Sequence, residues 1–180
     1  MRKKIIAIAL TIVIISCLVP TTSFAQPYGT SVYGKNTTYG GQTSLSILTS
    51  GDVNIPITPT NNGTLATSNS SVIVTSTDVK GYKLYIRALG NTSMDNLGSQ
   101  LPASSNTLPA NLSINTWGFN TDNSSDYIGI SLTDSLIRSV SLPVPNGDTT
   151  TISYGINIDF AKPAGNYTAS VVYTAVPQTD

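Results

Sequence analysis

The stretch from Thr149 to Pro177 constrains this chain most. From Ile152 to Phe160 every second residue is apolar or aromatic (Ile152, Tyr154, Ile156, Ile158, Phe160), with Ser153, Gly155, Asn157 and Asp159 between them. A period of two sends one set to a buried sheet face and the other towards water. Pro163 and Gly165 punctuate a turn. Alternation then resumes through Tyr167, Ala169, Val171, Tyr173 and Ala175, with Thr168, Ser170 and Thr174 opposite. The pattern predicts a closing hairpin of two long antiparallel strands in a β-sheet domain.

Earlier strand signals agree. Leu45 and Ile47 open the series, followed by Val53, Ile55 and Ile57, where Pro56 marks an edge or a bulge. Thr58 to Asn69 reads as turn-rich, with Pro59 and Asn62-Gly63. Val72 to Val74 begin another strand, and Tyr82, Leu84, Ile86 and Ala88 alternate against Lys83, Tyr85 and Arg87. Gly90 to Asn111 is a long segment with scattered leucines, of a length that is uncommon unless it is functional or hides a short element. Strands are expected again at Leu112 to Trp117 and Leu136 to Val144, and Asn146-Gly147 turns the chain into the last pair. Together these runs predict an all-β fold, an Ig-like antiparallel β-sandwich of seven to nine strands over residues 43–177.

Residues 1–25 have the form of a secretory signal peptide: Arg2, Lys3 and Lys4, an apolar run from Ile5 to Ile15, and Ser23-Phe24-Ala25 for cleavage. The apolar run is short for a membrane span, which needs ~20 residues, so no span is expected once the leader is gone. Ile14-Ile15-Ser16-Cys17 also resembles a lipobox, in which Cys17, the single cysteine, would carry lipid. Cleavage after Ala25 would instead leave a mature chain without thiols or disulfides. Residues 26–42 then form a low-complexity arm in which Tyr28-Gly29, Tyr33-Gly34 and Tyr39-Gly40 recur. The arm reads as a spacer, an adhesive tyrosine stripe, or a strand donated to a neighbour's sheet edge.

Composition narrows the chemistry. Three of the nine basic residues lie in the leader, leaving six against nine acids, a mature charge of −3. That balance disfavours nucleic acid as a partner. All the acids are Asp, and His and Glu are absent. The usual general bases and nucleophiles are therefore missing, no enzyme is expected, and soft metals lack their ligands. Two binding constellations remain. Trp117 and Tyr127, with the Gly90–Asn111 loop, could form a sugar-stacking platform, although a lone Trp in a sandwich is also a core residue. Asn120, Asp122, Ser124 and Asp126 place oxygen side chains at alternate positions, as a calcium loop does, and the same spacing suits a solvated turn.

Several segments carry a resemblance: Val72-Ile73-Val74-Thr75-Ser76-Thr77 with Gly81-Tyr82-Lys83-Leu84, Asn115-Thr116-Trp117-Gly118-Phe119, Tyr154-Gly155-Ile156-Asn157-Ile158-Asp159, and Ala164-Gly165-Asn166-Tyr167-Thr168. With the Tyr-Gly arm, they resemble a group of secreted bacterial β-sandwich surface proteins that have an Asn-x-Trp-Gly-aromatic motif. More distantly the closing segment is similar to the WxL domain of Gram-positive surface proteins. The resemblance implies a sandwich displayed outside the cell or at its surface. The expectation is a non-catalytic structural or adhesive protein of the bacterial envelope, whose partner is an envelope component, a glycan or a surface protein. A carbohydrate-binding module and a pilin-like subunit that assembles by strand addition are the alternatives.

Overall fold

The computed structural model describes residues 6–12, 44–77 and 79–178. The segment read as an arm, 26–42, Cys17 and most of residues 1–25, read as a leader, lie outside the described residues. All regular structure among the described residues is β. One sheet has the order β3 (Val53–Ile57), β1 (Ile6–Ile12), β11 (Ser170–Gln178), β5 (Gly81–Ala88), β9 (Ser135–Val140). A second has the order β2 (Ser44–Thr49), β4 (Thr64–Thr77), β10 (Asp148–Ile158), β8 (Thr116–Asn120). A short ribbon pairs β6 (Met94–Asn96) with β7 (Ser99–Leu101). Among the described strands, the ladders are antiparallel except between β1 and β11. No helix among the described residues is long and apolar enough to cross a membrane.

The core lies between the two larger sheets. Val72, Val74, Ile152, Tyr154, Ile156 and Ile158 come from one side, and Leu84, Ile86, Val171 and Tyr173 from the other. Each set is the apolar half of a period-two pattern, which is why the sequence placed these strands well. Pro56 points to solvent from β3 at the sheet edge, where its missing N–H costs least.

The structure corrects five expectations. The closing pair is not a hairpin: β10 pairs with β4 and β8, whereas β11 pairs with β5 and β1. The chain from 159 to 169 crosses between sheets, and alternation alone cannot distinguish that crossing from a turn. Phe160, past the end of β10, is 63% exposed. The strand expected at Leu112–Trp117 begins instead at Thr116, and β4 begins at Thr64, inside the stretch read as turns. The number of strands exceeds seven to nine because the long loop holds β6 and β7, and β1 falls in the segment read as a leader.

That split sets the geometry of the molecule. β2 runs alongside β4 from Ser44↔Thr77 to Thr49↔Val72; then, beyond Gly51, the chain enters the other sheet as β3. A short connection joins Thr77 to Gly81, which pairs with Gln178. Ser44, Thr77, Gly81 and Gln178 therefore share one end of the sandwich. Thr64, paired with Ile158, and Ile57 mark the opposite end.

Two polar clasps join the sheets. The Tyr82 hydroxyl on β5 donates to Asp148 Oδ2 on β10 at 2.7 Å, and Arg138 of β9 donates to both Asp148 oxygens at 2.9 Å. Deeper in the core, the hydroxyls of Tyr154 on β10 and Tyr173 on β11 hydrogen-bond to each other. Burial pushes Tyr82 and Tyr173 up to about 12 and drives Tyr154 well above its ordinary value.

Candidate functional site

The Asn-x-Trp-Gly-aromatic segment is built for packing. Asn115 adopts φ +62°, a left-handed conformation that Asn tolerates. It clasps Asp159 reciprocally: its Nδ2 donates to Asp159 Oδ1 at 2.9 Å, and its Oδ1 accepts from the Asp159 N–H at 3.2 Å. Trp117 then enters the core fully buried, its Nε1 donates to Thr92 O at 2.9 Å, and its ring lies 6.5 Å from that of Tyr154. A Cβ at Gly118 would sit 2.6 Å from Ile128 O, so only Gly lets the 128 segment close over β8.

Tyr127 is 2% exposed and lies across Gly155, where a Cβ would meet its ring at 2.6 Å. This cover also buries Ser153 and Gly155, the half of β10 that alternation assigned to water. Neither Trp117 nor Tyr127 presents a ring face to solvent. The stacking platform expected of them is therefore not formed: an aromatic ring that binds sugar must expose one face. The Gly90–Asn111 segment is tied down as well. Asn106 Nδ2 reaches the carbonyls of Ala110, Asn111 and Tyr127 at 3.1–3.2 Å, and Met94 and Leu101 are buried.

The loop 120–126 is closed by its own side chains. Asn120 Nδ2 donates to Ser124 O and Asp126 O at 3.0 and 3.1 Å, and Asp122 Oδ1 accepts from the Ser124 N–H at 3.1 Å. Hydrogen bonds from Ser124 hold the Asp122 carboxyl below its usual range. Asn120 Oδ1 is buried without a hydrogen-bond partner. The four residues are thus brought together as interlocked turns. No group of three or more His, Cys, Asp or Glu converges among the described residues.

Sequence reasoning missed a different place. β1 falls within the segment read as a leader, yet it lies inside the first sheet. It pairs antiparallel with β3 from Ile6↔Ile57 to Leu10↔Val53, and parallel with β11 at Thr11↔Ser170 and Ile12↔Val171. Among the described strands, β3 has no sheet partner except β1, although Val53, Ile55 and Ile57 are at most 3% exposed. Without β1, the sheet would have a one-strand gap flanked by the edges of β3 and β11. The signal was present in the segment read as a leader, where Ile6, Ile8, Leu10 and Ile12 alternate with Ala7, Ala9 and Thr11, a strand period as much as a leader run. The sequence matches no protein-family model and no curated protein.

Proposed function

We propose that this chain is a non-catalytic, secreted structural or adhesive protein of the bacterial envelope, whose sandwich is completed by strand addition. The observation that carries the proposal is the position of β1 between β3 and β11. Secretion with cleavage after Ala25 removes β1 and leaves both edges without their backbone partner. Unpaired edge N–H and C=O groups are a template for another strand, and proteins that assemble by strand addition use such a template. The polar composition of the arm and the scarcity of titratable side chains fit a scaffold better than a catalyst. Burial of Trp117 and Tyr127 weighs against the glycan-binding alternative.

The test is to secrete the chain from a bacterial host, fractionate wall from medium, and read the mature N-terminus by mass spectrometry. Gln26 is the expected first residue, and hydrogen exchange at 53–57 should depend on an added strand. A protein that keeps residues 6–12 after secretion, or starts at a lipid-modified Cys17, would refute cleavage after Ala25. Turnover of a glycoside, peptide or ester substrate would refute the non-catalytic role.

A further inference from the structure

We infer that the gap between β3 and β11 is a socket for the N-terminal arm, residues 26–42, of a second copy of this chain, so that copies join head to tail. This rests on the reading above, in which the leader leaves. The first observation is polarity. β2 starts at Ser44, paired with Thr77, and runs away from that end of the sandwich, so the chain that precedes it departs there. The two edges of the gap follow one another along it: Val53–Ile57 of β3 face the place of Ile6–Leu10, Ser170 and Val171 at the start of β11 face that of Thr11 and Ile12, and both lie towards the opposite end. The root of the arm and the mouth of the socket therefore sit at different ends of one molecule. A contact between two different surfaces of the same chain repeats without closing and builds open linear assemblies.

The second observation is reach. The eighteen residues from Gln26 to Thr43 extend to ~60 Å at ~3.3–3.6 Å per residue. The seven residues of β1 occupy ~23 Å at ~3.3 Å each. An arm can therefore fill the place of β1 and still bridge the junction between two copies. The third is edge chemistry. Strand addition draws its affinity from backbone hydrogen bonds, with side-chain pockets adding specificity. In the arm, Tyr28, Thr30 and Val32 alternate with Gly29 and Ser31, which makes this its most strand-like stretch. With copies stacked in the same orientation, the arm enters parallel to β3 and antiparallel to β11, the reverse of β1. An arm that folded back into its own socket would run the other way.

Three proteins test this by light scattering after size separation: the mature chain 26–180, the same chain lacking 26–42, and the leader-bearing chain 1–180. The mature chain should form assemblies that lengthen with concentration, and the other two should remain at one-subunit mass. A synthetic peptide of residues 26–42 should bind the arm-less chain one to one and slow hydrogen exchange at 53–57 at least tenfold. A mature chain that stays at one-subunit mass, with 53–57 protected only when its arm is present, would show the arm in its own socket and overturn the second copy. An arm-less chain that protects 53–57 without peptide as well as the leader-bearing chain does would show that the gap closes by itself; that outcome would overturn the strand-addition reading as well. If the arm-less chain does not fold, the mature and leader-bearing chains still decide the matter through mass and exchange.

Discussion

The hydroxyl pair of Tyr154 and Tyr173 offers the sharpest test of how the two sheets are held together. The Tyr154 hydroxyl has Tyr173 as its partner, whereas Tyr173 also interacts with Ser70, which in turn meets Ser50 at 3.2 Å. Tyr173→Phe therefore leaves the Tyr154 hydroxyl buried and unpaired, at a cost of ~1–3 kcal/mol. Tyr154→Phe leaves Tyr173 its Ser70 contact and should lose only the net worth of one hydrogen bond, ~1 kcal/mol. The double variant removes both hydroxyls and should lose less than the two single losses combined. In urea, with ~1–3 kcal/mol per molar, a 2 kcal/mol loss moves the midpoint by ~1 M. Trp117, 6.5 Å from Tyr154, reports unfolding by fluorescence of the chain 1–180. The pH dependence follows from the raised pKa values. Both groups favour the neutral form when folded, so their contribution is complete below the ordinary value of 10.0 and is lost as pH rises through about 12 for Tyr173. The cost of each Phe substitution should shrink across that window. Strictly additive losses, or equal losses from the two single variants, would refute the chain of partners described above.

Three further outcomes are expected. Gly155→Ala drives a Cβ into the Tyr127 ring and should cost ~1–3 kcal/mol by overpacking, read as a lower urea midpoint. Burial alone would raise the Asp148 carboxyl, but hydrogen bonds from Tyr82 and Arg138 hold it below 3.8. Its contribution is thus present above pH 3.8 and is lost as pH falls through the lowered folded value; Asp148→Asn should flatten that acid limb of the melting curve. The effect should stay below ~1 kcal/mol, since Arg138 is 45% exposed. Trp117→Phe strands the Thr92 carbonyl and should cost ~1–3 kcal/mol by circular dichroism, with no change in fold.

Legibility from sequence followed burial. Strands with one wet and one dry face, such as β5 and the apolar half of β10, declare themselves by period two. The sheet assignment of β10 and β11 did not, because alternation states that a face is buried and not which strand lies beside it. Trp117 could be read either as core or as platform, since an indole ring suits both; its partner, the Thr92 carbonyl, is remote in sequence and leaves no local mark. The Asn120–Asp126 spacing was legible as a turn. Whether its side chains turn outward to a cation or inward to the backbone depends on hydrogen bonds that composition does not encode. The place of β1 was hidden because a leader and a strand inside a sheet draw on the same apolar residues.

The crossing of the edge path between the two sheets has a mechanical consequence. A pull on the chain ahead of Ser44 acts along the axis of β2, so the register from Ser44↔Thr77 to Thr49↔Val72 is loaded in shear, with its hydrogen bonds sharing the force rather than peeling one after another. Behind it, the bend at Gly51 hands any remaining tension to β3, whose Val53, Ile55 and Ile57 would have to leave the opposite half of the core. A single strand path anchored in both layers cannot be drawn out without parting the sandwich, which makes Ser44 a strong point at which to hang a load.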